Sequence, residues 1–352
     1  MTMKKYYIDV IQYRGDRASF GFEQGKWLKQ SPLHPIYTNP DIAKKLRFSI
    51  NLSEAVEWIK ALFPAFLEEL QGLAEGLDLT FDQAIMHFSG YQQEWKKSGC
   101  TILTGDHYLV RNYDYHPKTY EGRFVLFQPD NGYATIGPSQ RIVGRADGMN
   151  EKGLMTGYNF VNRRNAGDGF IPTIITRMIL EKCQSNEEAI ALLKEVPHRV
   201  AFNYVLADRF GNRHVVEATS QAVRVKEDTR STNHFDLLTE ANRHHLADSQ
   251  RRMAILRNQK QQLSKPEAFQ LLNNIEKELF AEKYLQSAGT LHTSIYDTNS
   301  LEAGIALGHN RMPTIFSFGD WLQGKDSWVR KVKGQINTNE RMPYMDGVGE
   351  NE

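Results

Sequence analysis

The chain has 352 residues, 40% of them hydrophobic, and its 43 lysines and arginines nearly cancel 42 aspartates and glutamates. That composition can bury a large core and excludes global disorder, and a net charge of +1 gives no field favouring nucleic acid or an anionic membrane. Two cysteines, Cys100 and Cys183, sit in unrelated local patterns, which excludes a disulfide framework or zinc spacing and points to a reducing, cytoplasmic setting.

No apolar run reaches the roughly 18 residues of a membrane span. At the N-terminus the chain turns polar again at Gln12, too early for a signal peptide. The expected partner is therefore a small molecule or peptide, with homo-oligomerisation left open.

Residues 5–12 read as a strand, Arg14-Gly15-Asp16 as a turn, and Ser19 to Gly25 as the lead into a short helix. From Ser53 to Leu77 the apolar residues Val56, Ile59, Leu62, Phe63, Phe66, Leu70 and Leu73 keep a helical period, with a break at Pro64. Thr80 and Gln83 form a capping box for a helix running to about Lys96. The region before Cys100 is thus mainly helical.

The texture then changes. Cys100 opens an apolar run with strand character, Gly105-Asp106 makes a tight turn, and a second strand ends in Arg111-Asn112-Tyr113-Asp114. Antiparallel pairing folds the end of the second strand back beside the start of the first, which brings Arg111 and Asp114 near Cys100. A thiol is nucleophilic as its thiolate, and a nearby cation or base raises that fraction. Cutting the Gly99–Cys100 bond would make Cys100 a chain terminus, and its own α-amine, with an ordinary pKa of about 7.7 to 8, could take the thiol proton. Asp114 would then orient the amine, and Arg111 would favour the thiolate. A packed core cysteine is the plainer alternative for a thiol in a strand.

Hairpins follow at residues 123–128 with 133–136, at 141–147 with 154–159 around Gly148-Met149-Asn150-Glu151-Lys152-Gly153, and at 202–207 with 213–218. A helix from Pro172 to Cys183 makes Cys183 inert packing, and Ser185 caps the next helix. A strand at 221–226 precedes Ser231-Thr232-Asn233-His234-Phe235. Helices at 249–262 and 267–282 and strands at 290–296 and 301–307 close the folded part, leaving a loose tail after Asn337. Hairpins with helices between them indicate α+β. His234 and the pair His244-His245 lack a third ligand at metal spacing, so neither a metal nor a cofactor is expected.

Several segments together resemble one family. They are Gly15 through Gly25, Gly99-Cys100-Thr101, Arg111-Asn112-Tyr113-Asp114, Gly148 through Leu154, Gly157-Tyr158-Asn159, Thr232-Asn233-His234 and Asp248-Ser249-Gln250-Arg251-Arg252. In their order and spacing these are similar to the Ntn hydrolases that contain acyl-coenzyme A:6-aminopenicillanic acid acyltransferase and, more distantly, the choloylglycine hydrolases, including bile salt hydrolases and penicillin V acylases. The resemblance implies a four-layer αββα sandwich with two stacked antiparallel sheets. It also implies a helical pro-segment, residues 1–99, released as an α chain by autoproteolysis before Cys100 and kept beside the catalytic part, residues 100–352, in one globular domain.

Carried over by position, the resemblance makes Cys100 the nucleophile with its freed α-amine as base, Arg111 the arginine beside the thiol and Asp114 the carboxylate holding the amine. Asn159 and Asn233 take the oxyanion-binding positions, and Arg252 the late bracing arginine, with neighbouring Arg251 as the other register. Tyr113, Tyr115, Tyr158 and Phe160 are the candidates for lining an apolar or aromatic acyl pocket. The expected reaction is hydrolysis of a linear amide in an N-acyl small molecule or peptide. Acyl transfer from a thioester or amide to an amine is the alternative. From other classes, a silent binding protein of the same fold stays open, and a papain-type protease is weaker because no local pattern around Cys100 supports it.

Overall fold

The computed structural model describes residues 3–38, 50–95, 98–260, 262–286 and 288–346. Its first strand, Met3–Gly15, buries Tyr6, Ile8 and Val10 on one side. Alternation of period two gives a strand one apolar face, which must meet another layer. This strand meets it from the position next to a sheet edge, antiparallel to Lys331–Asn337 and parallel to Arg123–Pro129.

Among the described residues the larger sheet has ten strands. Its order is Val223–Glu227, Arg213–Ala218, Ala201–Ala207, Met155–Asn162, Asp147–Asn150, Thr135–Gln140, Arg123–Pro129, Met3–Gly15 and Lys331–Asn337, with Gly144–Arg145 paired to Thr135–Gln140. The smaller, seven-stranded sheet runs Arg230–Ser231, Gly99–Gly105, Tyr108–Tyr115, Ala288–Asp297, Glu302–Ala306 and Thr314–Ser317, with Glu282–Lys283 attached to Ala288–Asp297. The sheets stack, with Gly99–Gly105 and Tyr108–Tyr115 facing Met155–Asn162. Helices Pro172–Lys182 and Asn186–Glu195 cover the larger sheet, and Ala247–Arg257 and Lys265–Asn273 cover the smaller one. The result is the expected α+β arrangement of helices, two sheets and helices, except that one strand pair, Met3–Gly15 with Arg123–Pro129, is parallel.

Helices Arg17–Gln30 and Ala65–Leu77 touch backbone to backbone. A methyl group at Gly21 would lie 2.0 Å from Glu69 O, and one at Gly72 would lie 1.9 Å from Ala18 O, so only glycine permits this approach. The close approach is accompanied by a buried ionic cluster in which Arg177 pairs with Glu69 and Glu181, and Arg17 pairs with Glu181.

Several boundaries differ from the sequence expectation. The helix opened by the Thr80 capping box ends at Phe88, and its expected end near Lys96 falls outside the described residues. The expected strand over 141–147 is interrupted by a turn in which Arg141 and Ile142 take positive φ. Helix Lys265–Asn273 ends where Asn274 begins a short 3-10 turn, well before residue 282. The chain beyond residue 307 adds two further strands, and the tail places Tyr344 in the core with its hydroxyl on Asp9.

Candidate active site

Alternation along Gly99–Gly105 sets the chemistry. Cys100 and Ile102 face the larger sheet, while Thr101 and Leu103 face the covering helices. Register places Tyr113 opposite Cys100 and Arg111 opposite Ile102, so the thiol and the guanidinium share the space between the sheets. Arg111 Nη2 donates to Cys100 Sγ at 3.1 Å and to Tyr158 O at 2.8 Å, and Nη1 donates to Ala146 O at 2.8 Å and to the Asp147 carboxylate.

Burial pushes the Cys100 thiol above its ordinary pKa, and the Arg111 charge offsets part of that rise. Burial alone would also lower Arg111, but the Cys100 and Asp147 charges outweigh it and hold the guanidinium above its usual value. Cys100 itself is 0% exposed.

Asp114 pairs with Gly99 in register and so lies on the other face of its strand from the thiol. A Cβ on Gly99 would lie 3.2 Å from both Cβ and Oδ2 of Asp114, so the carboxylate sits directly against the residue preceding Cys100. Thr290 Oγ1 donates to Asp114 Oδ1 at 2.7 Å, while Oδ2 is buried without a partner. Desolvation raises the Asp114 pKa to about 7, against the lowering charge of Arg252.

The Cys100 backbone is held from the helix side. Its N–H donates to Asn233 Oδ1 at 3.0 Å, and Arg252 donates to Cys100 O at 2.6 Å, to Thr101 Oγ1 at 2.8 Å and to Asn233 Oδ1 at 2.7 Å. With its oxygen fully used, Asn233 turns Nδ2 to Phe160 O at 2.8 Å and, among the described residues, keeps one amide hydrogen without a partner. Asn203 Nδ2 donates to the carbonyls of Thr232 and His234, which flank Asn233, and Ser249 Oγ accepts from the Asn233 N–H. The Asn159 carboxamide is buried and has no partner on either atom among the described residues.

Residues 101–312, more than half of the chain, match the model of the acyl-coenzyme A:6-aminopenicillanic acid acyl-transferase family. The chain belongs to this family.

The fold is similar to that of penicillin V acylase from Agrobacterium tumefaciens, with 13% identity, 62% of this chain and 84% of that one covered, and a TM-score of 0.40. A mutant of conjugated bile acid hydrolase from Clostridium perfringens gives 14% identity, 68% and 97% coverage and a TM-score of 0.45. No curated protein sequence matches the chain.

Of the residues expected from the family resemblance, Cys100, Arg111, Asp114, Asn233 and Arg252 converge on the Gly99–Cys100 junction. Arg252 reaches Cys100 O and Asn233 Oδ1, whereas Arg251 points outward to Glu278 and Asp248. Tyr113, Tyr158 and Phe160 are all buried in an aromatic cluster. Tyr113 stacks on Tyr115 and His292, Tyr158 and Phe160 pack edge-on against Phe202, and Trp95 packs against Tyr115, Tyr158 and Phe202. One cleft of about 770 Å³ is lined in part by Tyr115 and Gln140, and another of about 850 Å³ by His234 and Phe235. His234, weighed above as a metal ligand, instead hydrogen-bonds Ser249 Oγ through Nδ1 at 2.8 Å.

Asp147 is the residue that the sequence reading missed. It directly precedes the Gly148–Leu154 segment, and the expected strand over 141–147 concealed it. An acidic residue at a strand position between apolar neighbours, Ala146 and Met149, was the available signal. Among the described residues no helix is long and apolar enough to cross a membrane.

Proposed function

We propose that the protein is a cysteine-nucleophile amidohydrolase for linear amides of N-acyl small molecules or peptides, matured by cleavage before Cys100. The observation carrying this reading is that Arg111 reaches the Cys100 thiol while Asn233, Arg252 and Asp114 gather around the bond preceding it.

In maturation the Cys100 thiol attacks the Gly99 carbonyl, the Gly99 C–N bond breaks as the Cys100 nitrogen takes a proton, and a thioester forms. Water then adds to the thioester, leaving a Gly99 carboxylate, a free Cys100 thiol and a free Cys100 α-amine. The unpartnered Oδ2 of Asp114 is the acceptor for that amine. In turnover the amine takes the thiol proton, the thiolate attacks the substrate carbonyl, and the leaving amine departs with that proton. Water releases the acid. The free hydrogen on Asn233 Nδ2 and the unpartnered amide of Asn159 supply donors for the oxyanion, a type of contribution worth about 2.7 to 4 kcal/mol when one donor is removed.

The aromatic cluster of Tyr113, Tyr158 and Phe160 suits an apolar acyl group. The family's description favours a second reading, in which an amine replaces water and the product is a new amide. The complete burial of Cys100 in the uncut chain favours a third, a silent binding protein that is never processed.

One set of measurements separates these. Denaturing mass spectrometry should find fragments beginning at Cys100. Release of acid from a panel of N-acyl amides, penicillin V, bile-salt conjugates and short peptides should occur in wild type and vanish in Cys100→Ala. New amide formed on adding an amine acceptor marks the transferase. Activity surviving in Cys100→Ala overturns the mechanism.

A further inference from the structure

Arg111 does not rest against the thiol by itself. Its Nη1 is claimed by Asp147, and Asp147 is in turn fixed by the smaller sheet, where Ser294 Oγ donates to Oδ1 at 3.0 Å and the Tyr296 hydroxyl donates to the same oxygen. Ser294 lies opposite Arg111 in register, on the strand next to it, so the smaller sheet contributes both the guanidinium and the anchor of its partner. Asp147 comes from the larger sheet. Arg111, Asp147 and Cys100 are all fully buried.

We infer that Asp147 is a positioning residue for the Cys100 chemistry: anchored by Ser294 and Tyr296, it aims Arg111 Nη2 at the thiol and neutralises the guanidinium charge. The inference rests on Cys100 being the nucleophile.

Charge balance gives the reason. With a protonated thiol the Asp147–Arg111 pair is neutral, and a buried neutral pair is far cheaper than a lone guanidinium. A thiolate formed beside this pair leaves one uncompensated negative charge in the interior. The only new cation that chain cleavage creates is the α-ammonium of Cys100, which forms when that amine takes the thiol proton. Asp147 thereby makes thiolate formation depend on the freed terminus rather than on Arg111 alone. The other titratable groups around the thiol are Tyr113 and His292 from the smaller sheet and Tyr158 from the larger, with Asp114 and Arg252 on the opposite face at the strand end. Burial holds the tyrosines and His292 in their neutral forms at pH 7.

The test follows iodoacetamide alkylation of Cys100 against pH, read by mass on the Cys100 peptide and separately from Cys183. Asp147→Asn keeps the shape and removes the charge, so the alkylation midpoint should fall by about one to two pH units. The double variant Ser294→Ala with Tyr296→Phe keeps the charge and frees the anchor. Arg111 then follows Asp147 away from the sulfur, and the midpoint should rise. Opposite shifts support the inference. A role in packing alone would lower the melting temperature of both variants and move neither midpoint, which would overturn it. Should Asp147→Asn fail to fold, an unmoved midpoint in the double variant overturns it equally. Absence of Cys100 alkylation in wild type overturns instead the reading of Cys100 as nucleophile, and this inference with it.

Discussion

Arg252 joins Cys100 to Asn233: one guanidinium nitrogen donates to Cys100 O at 2.6 Å and the other to Asn233 Oδ1 at 2.7 Å. Its Nε is held by Asp248 at 2.9 Å, so the fork is fixed from behind. A planar fork of this kind cannot be reproduced by an ammonium. Arg252→Lys should therefore keep the fold and slow self-cleavage by about 10- to 100-fold, the equivalent of losing one charged hydrogen bond of roughly 1.5 to 3 kcal/mol. The rate at which fragments starting at Cys100 accumulate measures this directly. An unchanged rate would remove Arg252 from the site.

A side chain on Gly99 would press on Asp114. A methyl group there would sit 3.2 Å from Asp114, tight enough that the carboxylate must shift. Gly99→Ala should slow maturation, and Gly99→Val should stop it, while both retain wild-type melting temperatures within a few degrees. If Gly99→Val matures at the wild-type rate, Asp114 has no part in handling the new terminus.

Asp114 should also write its burial into the pH dependence of stability. Its pKa is raised to about 7 by desolvation, against about 3.9 in an unfolded chain. Between those values the folded state holds a proton that the unfolded state has lost, so this contribution is fully present below about pH 4 and is lost as pH rises to about 7. Its size is at most about 4 kcal/mol. Asp114→Asn should flatten the fall in unfolding free energy between about pH 5 and about pH 8 and raise stability at the upper end, while losing amidase activity. Urea melts at those two pH values test the sign, and an unchanged slope would mean that Asp114 titrates normally.

Much of this site was legible because it is local. The Gly105-Asp106 turn fixes the register of one hairpin, and that register alone puts Arg111 on the thiol's face and Asp114 beside Gly99. Asn233 and Arg252 were legible only through the family resemblance, since nothing in the local sequence brings either within reach of Cys100. Asp147 was not legible, because its contacts depend on two sheets stacking and on hydroxyls from Ser294 and Tyr296 that lie about 150 residues away. The end of the Thr80 helix was overestimated for a similar reason. Apolar periodicity continues past Phe88, but Tyr91 and Trp95 are recruited by tertiary contacts with Phe170 and Phe202.

The strand Met3–Gly15 carries a last prediction about the two pieces that the proposed cleavage would leave. Its first half pairs with Lys331–Asn337 and its second half with Arg123–Pro129, both from the part after Cys100. Separating residues 1–99 from the rest would cut the edge strand Lys331–Asn337 off the larger sheet and take Tyr6, Ile8, Val10 and Phe20, all buried, out of the core. At about 1.5 to 3 kcal/mol for each large side chain, their exposure is of the same order as the 5 to 15 kcal/mol by which domains are usually stable. The fragments should therefore co-elute under native conditions, separate only in denaturant, and unfold in one shared transition. Residues 100–352 expressed alone should be insoluble or molten, and co-expression with residues 1–99 should restore a folded complex without any self-cleavage being required. A soluble, cooperatively folding 100–352 fragment would show instead that the first strand is an accessory to the sheet.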